Sequence, residues 1–305
     1  MRALTAVVAL FFAGPLAAQE CTAELERMSE LVARSGMAQM VPLSTAETDG
    51  EGRCRLEGLE FRAGRSVVVK ADALIWSGEG RERFLRDNLP PLSLELDLTG
   101  LRVVPEIGDP VMTYLLDVQS RARPADLSIR VGWDEAENVL EWEKIELRFA
   151  GGDYVRYQAI VEDVDLSSMN AIQMSAGSFG ITRTVLEVRS QGLFEAYALM
   201  PLGMALLHGE ADPAARVEEL KRRARSEISR LPETIFPPES KSSLANLADD
   251  MPAPAGTLRV EMTANPGLGT ARGMQMALRG EDLSDLAEIW PLLEGVRYDI
   301  GYERH

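Results

Sequence analysis

Few residues in this chain can do chemistry, and the most suggestive is a serine set among glycines. Ala176-Gly177-Ser178-Phe179-Gly180 approaches the elbow that presents the nucleophile of serine hydrolases. An elbow must follow a strand and open a helix, whereas residues 181–188 read as a strand lying after Ser178. Its base would also have to be His208 or the terminal His305, the only two histidines. A turn entering a strand explains these glycines better. The scarcity of histidine also argues against multi-histidine metal centres. Asp134-Glu135-Ala136-Glu137-Asn138 is acidic but lacks the alternating ligands and central glycine of an EF-hand, so it reads as a hairpin turn. Gly267-Leu268-Gly269 follows a strand without the rest of a dinucleotide fingerprint. With 48 acidic residues, carboxylate pairs arise by chance. The sequence therefore assigns no catalytic residue, no metal ligand and no cofactor.

Composition narrows the partners. The 305 residues carry a net charge of −16, which repels nucleic-acid phosphates and anionic lipid headgroups alike. Hydrophobic residues at 46% suffice for a large core, and aromatics at 6% are poor material for a sugar-stacking cleft.

The N-terminus predicts export. Arg2 precedes an uncharged run over residues 3–16, then Ala17-Ala18 stand before Gln19-Glu20. These are the parts of a signal peptide over residues 1–18, cleaved after Ala18. The run is short of the about 20 apolar residues of a membrane span and is interrupted by Gly14-Pro15, so no span is expected in the mature chain. Gln19-Glu20 directly before Cys21 departs from a lipoprotein signal. Cys21 and Cys54 are the only cysteines and can pair one way. In an oxidising periplasm the bond would form and pin the first helix to the strand that follows.

The elements that would position any site follow from periodicity. Leu25, Met28, Leu31 and Val32 share a face of a helix over residues 22–35. Leu92, Leu94, Leu96 and Leu98 alternate with polar residues, as do Leu127, Ile129, Val131 and Trp133. After the acidic turn, Leu140 and Trp142 are followed by Ile145, Leu147 and Phe149, a phase slip that predicts a β-bulge near Glu143-Lys144. Gly151-Gly152 turns into a strand through Val155 and Val161. Asp109-Pro110 and Asp212-Pro213 each predict a helix start. The second of these helices places Val217, Leu220, Ala224, Ile228 and Leu231 on one face. Its Lys221, Arg222, Arg223 and Arg225 form a solvated face paired with Glu218, Glu219 and Glu227. A helix through Leu244 and Leu247, a strand through Leu258, Val260 and Met262, a last helix at Leu283, Leu286 and Ile289 and a strand from Val296 to Tyr302 complete the chain.

Strand–helix–strand occurs twice, which predicts an N-terminal half over residues 19–167 and a C-terminal half over 168–305, or one continuous domain. The expected fold class is α+β, a twisted and mostly antiparallel sheet in two related halves with helices on one face. Residues 193–207 are apolar nearly all round, broken by Glu195 and Pro201, and predict a buried helix. The sharper expectation is that this helix lines a groove for an acyl chain, with Leu193, Tyr197, Met200, Met204 and Leu207 as contacts.

Beyond periodicity there is a resemblance. A strand ending in Trp133-Asp134, a return strand at Leu140, Gly192-Leu193 opening an apolar helix, a charged helix, and a strand running into Asn265-Pro266-Gly267 follow in order. Over residues 92–278 this order resembles proteobacterial envelope families distantly similar to the AsmA-like group. The resemblance implies a curved β-rich fold with packed helices and a role in lipid handling or envelope integrity. The expected function is non-catalytic, a periplasmic protein binding a lipid or other hydrophobic ligand, or an envelope protein partner. The alternative is an assembly factor acting through protein contacts at an open sheet edge, and the third reading is the Ser178 hydrolase.

Overall fold

A computed structural model describes residues 5–36, 38–64, 67–106, 108–270, 272 and 290–305. The fold is α+β, with a large open antiparallel sheet of eleven strands and, among the described residues, eight α-helices. The expected helix at Leu283, Leu286 and Ile289 lies outside the described residues. The chain forms two compact units. One comprises Met1–Gly132 and Ile145–Ala150, the other Trp133–Lys144 and Gly151–His305.

The first unit starts with α1 (Thr5–Arg34), β1 (Gln39–Pro42), β2 (Glu47–Thr48), β3 (Cys54–Ala63) and β4 (Val67–Ser77). It continues through α2 (Arg81–Arg86), β5 (Ser93–Pro105) and α3 (Pro110–Ser120) into β6 (Ala125–Asp134). Strand order is β1-β3-β4-β5-β6, with β2 also on β3. The register aligns the apolar positions that the two-residue period exposed: Leu96 faces Trp76 and Ile129, and Leu98 faces Leu74 and Leu127. Cys21 and Leu25 of α1 are buried against Leu56, Leu59, Leu74 and Trp76, and Met28 and Val32 pack at the margin. The disulfide between Cys21 and Cys54, with Cα atoms 5.4 Å apart, joins α1 to β3 as expected.

β7 (Val139–Phe149) contributes residues to both units. It runs unbroken past Glu143-Lys144, and its buried residue is Glu146, in phase with Leu140 and Trp142. Arg148 donates to that carboxylate at 2.7 Å. Among the other strand pairs, register shifts lie between Leu98 and Leu101, Ile160 and Val161, and Thr263 and Leu268.

The second unit holds β8 (Tyr154–Glu162), α4 (Met169–Ser175), β9 (Gly180–Ser190), α5 (Leu193–Tyr197), α6 (Leu199–Leu207) and α7 (Pro213–Arg230). It ends with α8 (Pro238–Asp250), β10 (Gly256–Gly269) and β11 (Val296–Arg304), and its strand order is β8-β9-β10-β11. Leu186 faces Tyr157 and Val260, and Val188 faces Val155 and Leu258. Both Asp-Pro starts cap as expected: Asp109 accepts from the Val111 and Met112 amides, and Asp212 accepts from the Ala215 amide.

α8 closes the β11 edge at its centre. The Tyr298 amide donates to the Ile235 carbonyl at 2.8 Å. Ser240 Oγ donates to the Tyr298 carbonyl at 2.9 Å and accepts from the Ile300 amide at 2.8 Å. Ser240 is 2% exposed, so water cannot replace it. Ser240→Ala strands two buried backbone groups and is expected to cost about 1–3 kcal/mol, read as a lower urea midpoint with an unchanged m-value.

Candidate functional site

The apolar segment after β9 is the most distinctive surface of the second unit. It forms two short helices, α5 and α6, where one buried helix was expected. Pro201 supplies the reason: it cannot bond to the Tyr197 carbonyl, and its ring crowds that oxygen, so the helix restarts at Leu199 with proline in its first turn. Neither helix has a buried residue. Helices α7 and α8 stand beside one side of α6 without burying it, and Leu202 and Leu206 on that side are still 46% and 53% exposed.

The inner side is a groove of about 300 Å³. Phe194, Leu199, Leu202, Leu206 and Leu207 form one wall with Gly203 between them. Val217, Leu220 and Ala224 of α7 face them, and Ala248, Met251 and Pro252 close the end. These α7 residues are the apolar face that the 3–4 spacing indicated, half-buried because the groove is open. Lys221 is the groove's one charged lining residue; its ammonium pairs with Glu218 at 3.2 Å and its stem lies along the wall. The Lys221–Glu218 pair is one of those expected, while Glu219 and Glu227 pair with Arg216 and Arg230, outside the expected basic run, at 2.8 and 3.2 Å. Arg225 reaches Asp249 and ties α7 to α8.

Of the five residues expected at a ligand, Leu207 lines the groove. Leu193 opens α5 without reaching it. Tyr197, Met200 and Met204 are 55%, 70% and 59% exposed and stand outside its lining. The wall residues at 199, 202, 203 and 206 also keep helical spacing. Both faces of α6 are apolar, so spacing alone had no means of choosing between them.

Ser178 follows α4 and precedes β9, which is the reverse of a nucleophile elbow. Its hydroxyl donates to the Ser175 carbonyl at 3.4 Å. His305 bonds Thr257 at 2.8 Å, near the end of β10 that pairs with Ser190. Ser178 lies beyond the other end, where Gly180 pairs with Gly269, roughly 35–40 Å away along the strand. The Gly267–Gly269 glycines serve close backbone approach: a Cβ on Gly269 would sit 1.8 Å from the Phe179 carbonyl oxygen. Asp134 Oδ1 accepts from the Ala136 and Glu137 amides, the geometry of a hairpin turn. Among the described residues no group of three or more His, Cys, Asp or Glu side chains could hold a metal ion. No described helix is long and apolar enough to cross a membrane.

The first unit has a polar cluster that the sequence did not reveal. Glu24 is 4% exposed beside the disulfide, with Oε2 4.0 Å from Cys54 Sγ. It accepts from Trp76 Nε1 at 2.8 Å and lies 3.4 Å from Arg81 Nη1. Burial pushes its carboxyl above the usual glutamate range, while the Trp76 bond and Arg81 pull it back and Glu20 adds to the rise. Trp76 faces the core, while Arg81 is partly exposed and shares with Glu20, Glu24, Glu82 and Arg86 a polar hollow of about 330 Å³.

Neither a scan of protein-family models nor a search of curated proteins gives a match to this chain.

Proposed function

We propose that the protein is a non-catalytic binder of a hydrophobic ligand, an acyl chain or lipid, held in the groove between α6, α7 and α8. The observation that carries this reading is the groove's wall, which is apolar but for one lysine. A concave apolar site with a single polar group at its margin suits an apolar chain with a small anionic or polar head. Lys221 would meet that head. Met200 and Met204 on the outer side of α6 offer adaptable contact where the ligand enters. Cleavage after Ala18 and work in the periplasm are part of the same proposal, supported by the signal-like N-terminus and by the disulfide, which an oxidising compartment favours. The AsmA-like resemblance, with its lipid-handling role, points the same way. So does the reading of β5–α3–β6 and β9–α5-to-α8–β10 as two related halves, the second enlarged by the helices that build the groove.

The test is intact mass spectrometry of protein purified from periplasm, first native and then after organic extraction. A stoichiometric lipid released on extraction is expected. Gly203 lines the groove, and a Cβ there meets open space. Gly203→Phe should fill the groove and reduce ligand occupancy at least about tenfold, while removing a helical glycine leaves stability equal or higher. A chain that carries no lipid and does not bind a fluorescent fatty acid would overturn the proposal.

A further inference from the structure

Helix α3 of the first unit reverses the polarity of an ordinary surface helix. Its buried residue is Asp117. Arg121 donates to Asp117 Oδ2 at 2.6 Å, and Lys70 Nζ lies 3.1 Å from Oδ1. The apolar side chains point outward instead: Val111, Tyr114, Leu115 and Val118 are 66%, 65%, 51% and 44% exposed. Their i, i+3, i+4, i+7 spacing makes one continuous stripe, the pattern by which a helix meets another helix. Among the described residues the stripe is uncovered.

We propose that the occupant of this stripe is α3 of a second copy of the chain, packed antiparallel about a two-fold axis. The stripe is symmetric about the point between Tyr114 and Leu115. A two-fold axis there sets Tyr114 against Leu115 of the second copy and Val111 against Val118 of the second copy. The charges obey the same symmetry. Glu106 and Asp109 are exposed before the helix, and Arg121 and Arg123 are exposed after it. Acid thus lies at the N-terminal end of the stripe and base at its C-terminal end, so antiparallel pairing brings acid toward base at both ends. A parallel pairing would oppose like charges. Antiparallel packing also sets the two helix dipoles head to tail. A lipid surface fits less well, because the stripe has acidic groups at one end and the chain carries a net charge of −16. One helix of 11 residues per copy makes a small interface, below about 1,200 Å² in total, so a dissociation constant on the order of micromolar is expected.

Sedimentation of the disulfide-intact chain, from sub-micromolar to a few hundred micromolar, should show a reversible monomer–dimer equilibrium. Leu115→Asp should weaken the dimer at least about thirty-fold while leaving the thermal melt of the monomer unchanged. Arg123→Glu should weaken it less, and combining Arg123→Glu with Glu106→Arg should restore it. A chain that stays monomeric throughout, or a dimer indifferent to Leu115→Asp, overturns the proposal. So does a monomer that floats with neutral phosphatidylcholine vesicles through α3, which would assign the stripe to a lipid surface.

Discussion

Trp76→Ala is expected to lose about 3–5 kcal/mol of stability, enough to unfold the first unit at a much lower denaturant concentration. Trp76 is 2% exposed and lies opposite both Cys54 and Leu96, so its ring fills the space between β3, β4, β5 and α1. Deleting the ring leaves a cavity that two flanking strands and a disulfide hold open. It also removes the indole donor from Glu24, a carboxyl sealed from water. Trp76→Phe separates the two effects: most of the ring survives and the N–H does not, so about 1–3 kcal/mol should go. A pH series with Glu24→Gln checks the carboxyl itself. Burial raises the folded pKa of Glu24 above the usual glutamate range, so between the unfolded and folded pKa the folded chain holds a proton that the unfolded chain has released. Its contribution is therefore full below the unfolded pKa and is lost as pH rises through the folded pKa. Asp49, Asp117, Asp165 and Glu261 have lowered pKa and add stability as pH rises, so Glu24 is read from the difference: in urea titrations the stability of wild type relative to Glu24→Gln should fall as pH rises through the folded pKa. An equal slope in both proteins, or a Trp76→Ala loss under 1 kcal/mol on the order used here, would refute this account of the core.

Much of the sheet was legible because strands with one buried face print a two-residue period. Leu92 to Leu98, Leu127 to Trp133 and Val155 to Val161 each became a strand with apolar residues in register across neighbours. The Asp-Pro helix starts were legible because a cap is local, needing only a side-chain oxygen and the amides two or three residues on. The disulfide followed from there being only two cysteines. What periodicity cannot encode is which apolar neighbour a segment meets. Residues 193–207 carry an apolar residue at nearly every position, so they specify burial in general and no particular face. The structure turns Leu199, Leu202, Leu206 and Leu207 toward the groove and leaves Met200 and Met204 off it, with exposed residues on both sides. Pro201 did mark the break, but a proline in the first turn of a helix and one inside it look alike in sequence. On β7 the phase slip from Leu140 and Trp142 to Ile145 and Leu147 gave no hint that the buried position is Glu146. Glu24, Asp117 and Ser240 were invisible for the opposite reason. Each is a polar residue on a helix, the default of a solvated face, and only tertiary partners 52, 47 and 58 residues away justify its burial.

Replacing Cys21 and Cys54 together by serine is expected to cost about 3–4 kcal/mol in the chain-entropy model for a crosslink spanning 33 residues. Cys21 and Cys54 are 1% and 0% exposed and belong to the same cluster as Leu25, Leu56 and Leu59. Their sulfurs nevertheless have polar neighbours: Arg81 Nη1 lies 3.1 Å and Glu24 Oε2 4.0 Å from Cys54 Sγ, and Thr48 Oγ1 lies 3.6 Å from Cys21 Sγ. Serine hydroxyls would find partners there, so the serine and alanine pairs should lose similar stability, most of it from the lost crosslink. If the chain is cleaved after Ala18, Cys21 stands close to the new terminus. Little chain then precedes it, and the bond holds the first turn of the remaining helix against β3 while Leu25, Met28 and Val32 hold the rest. Amide exchange in residues 21–34 should therefore accelerate more than exchange in β4 and β5, because the helix can open without the sheet. Both sulfurs are buried, so reductant alone should act slowly in native buffer and quickly in moderate urea. An unfolding midpoint that does not move when the bond is reduced would show that α1 is held by packing alone.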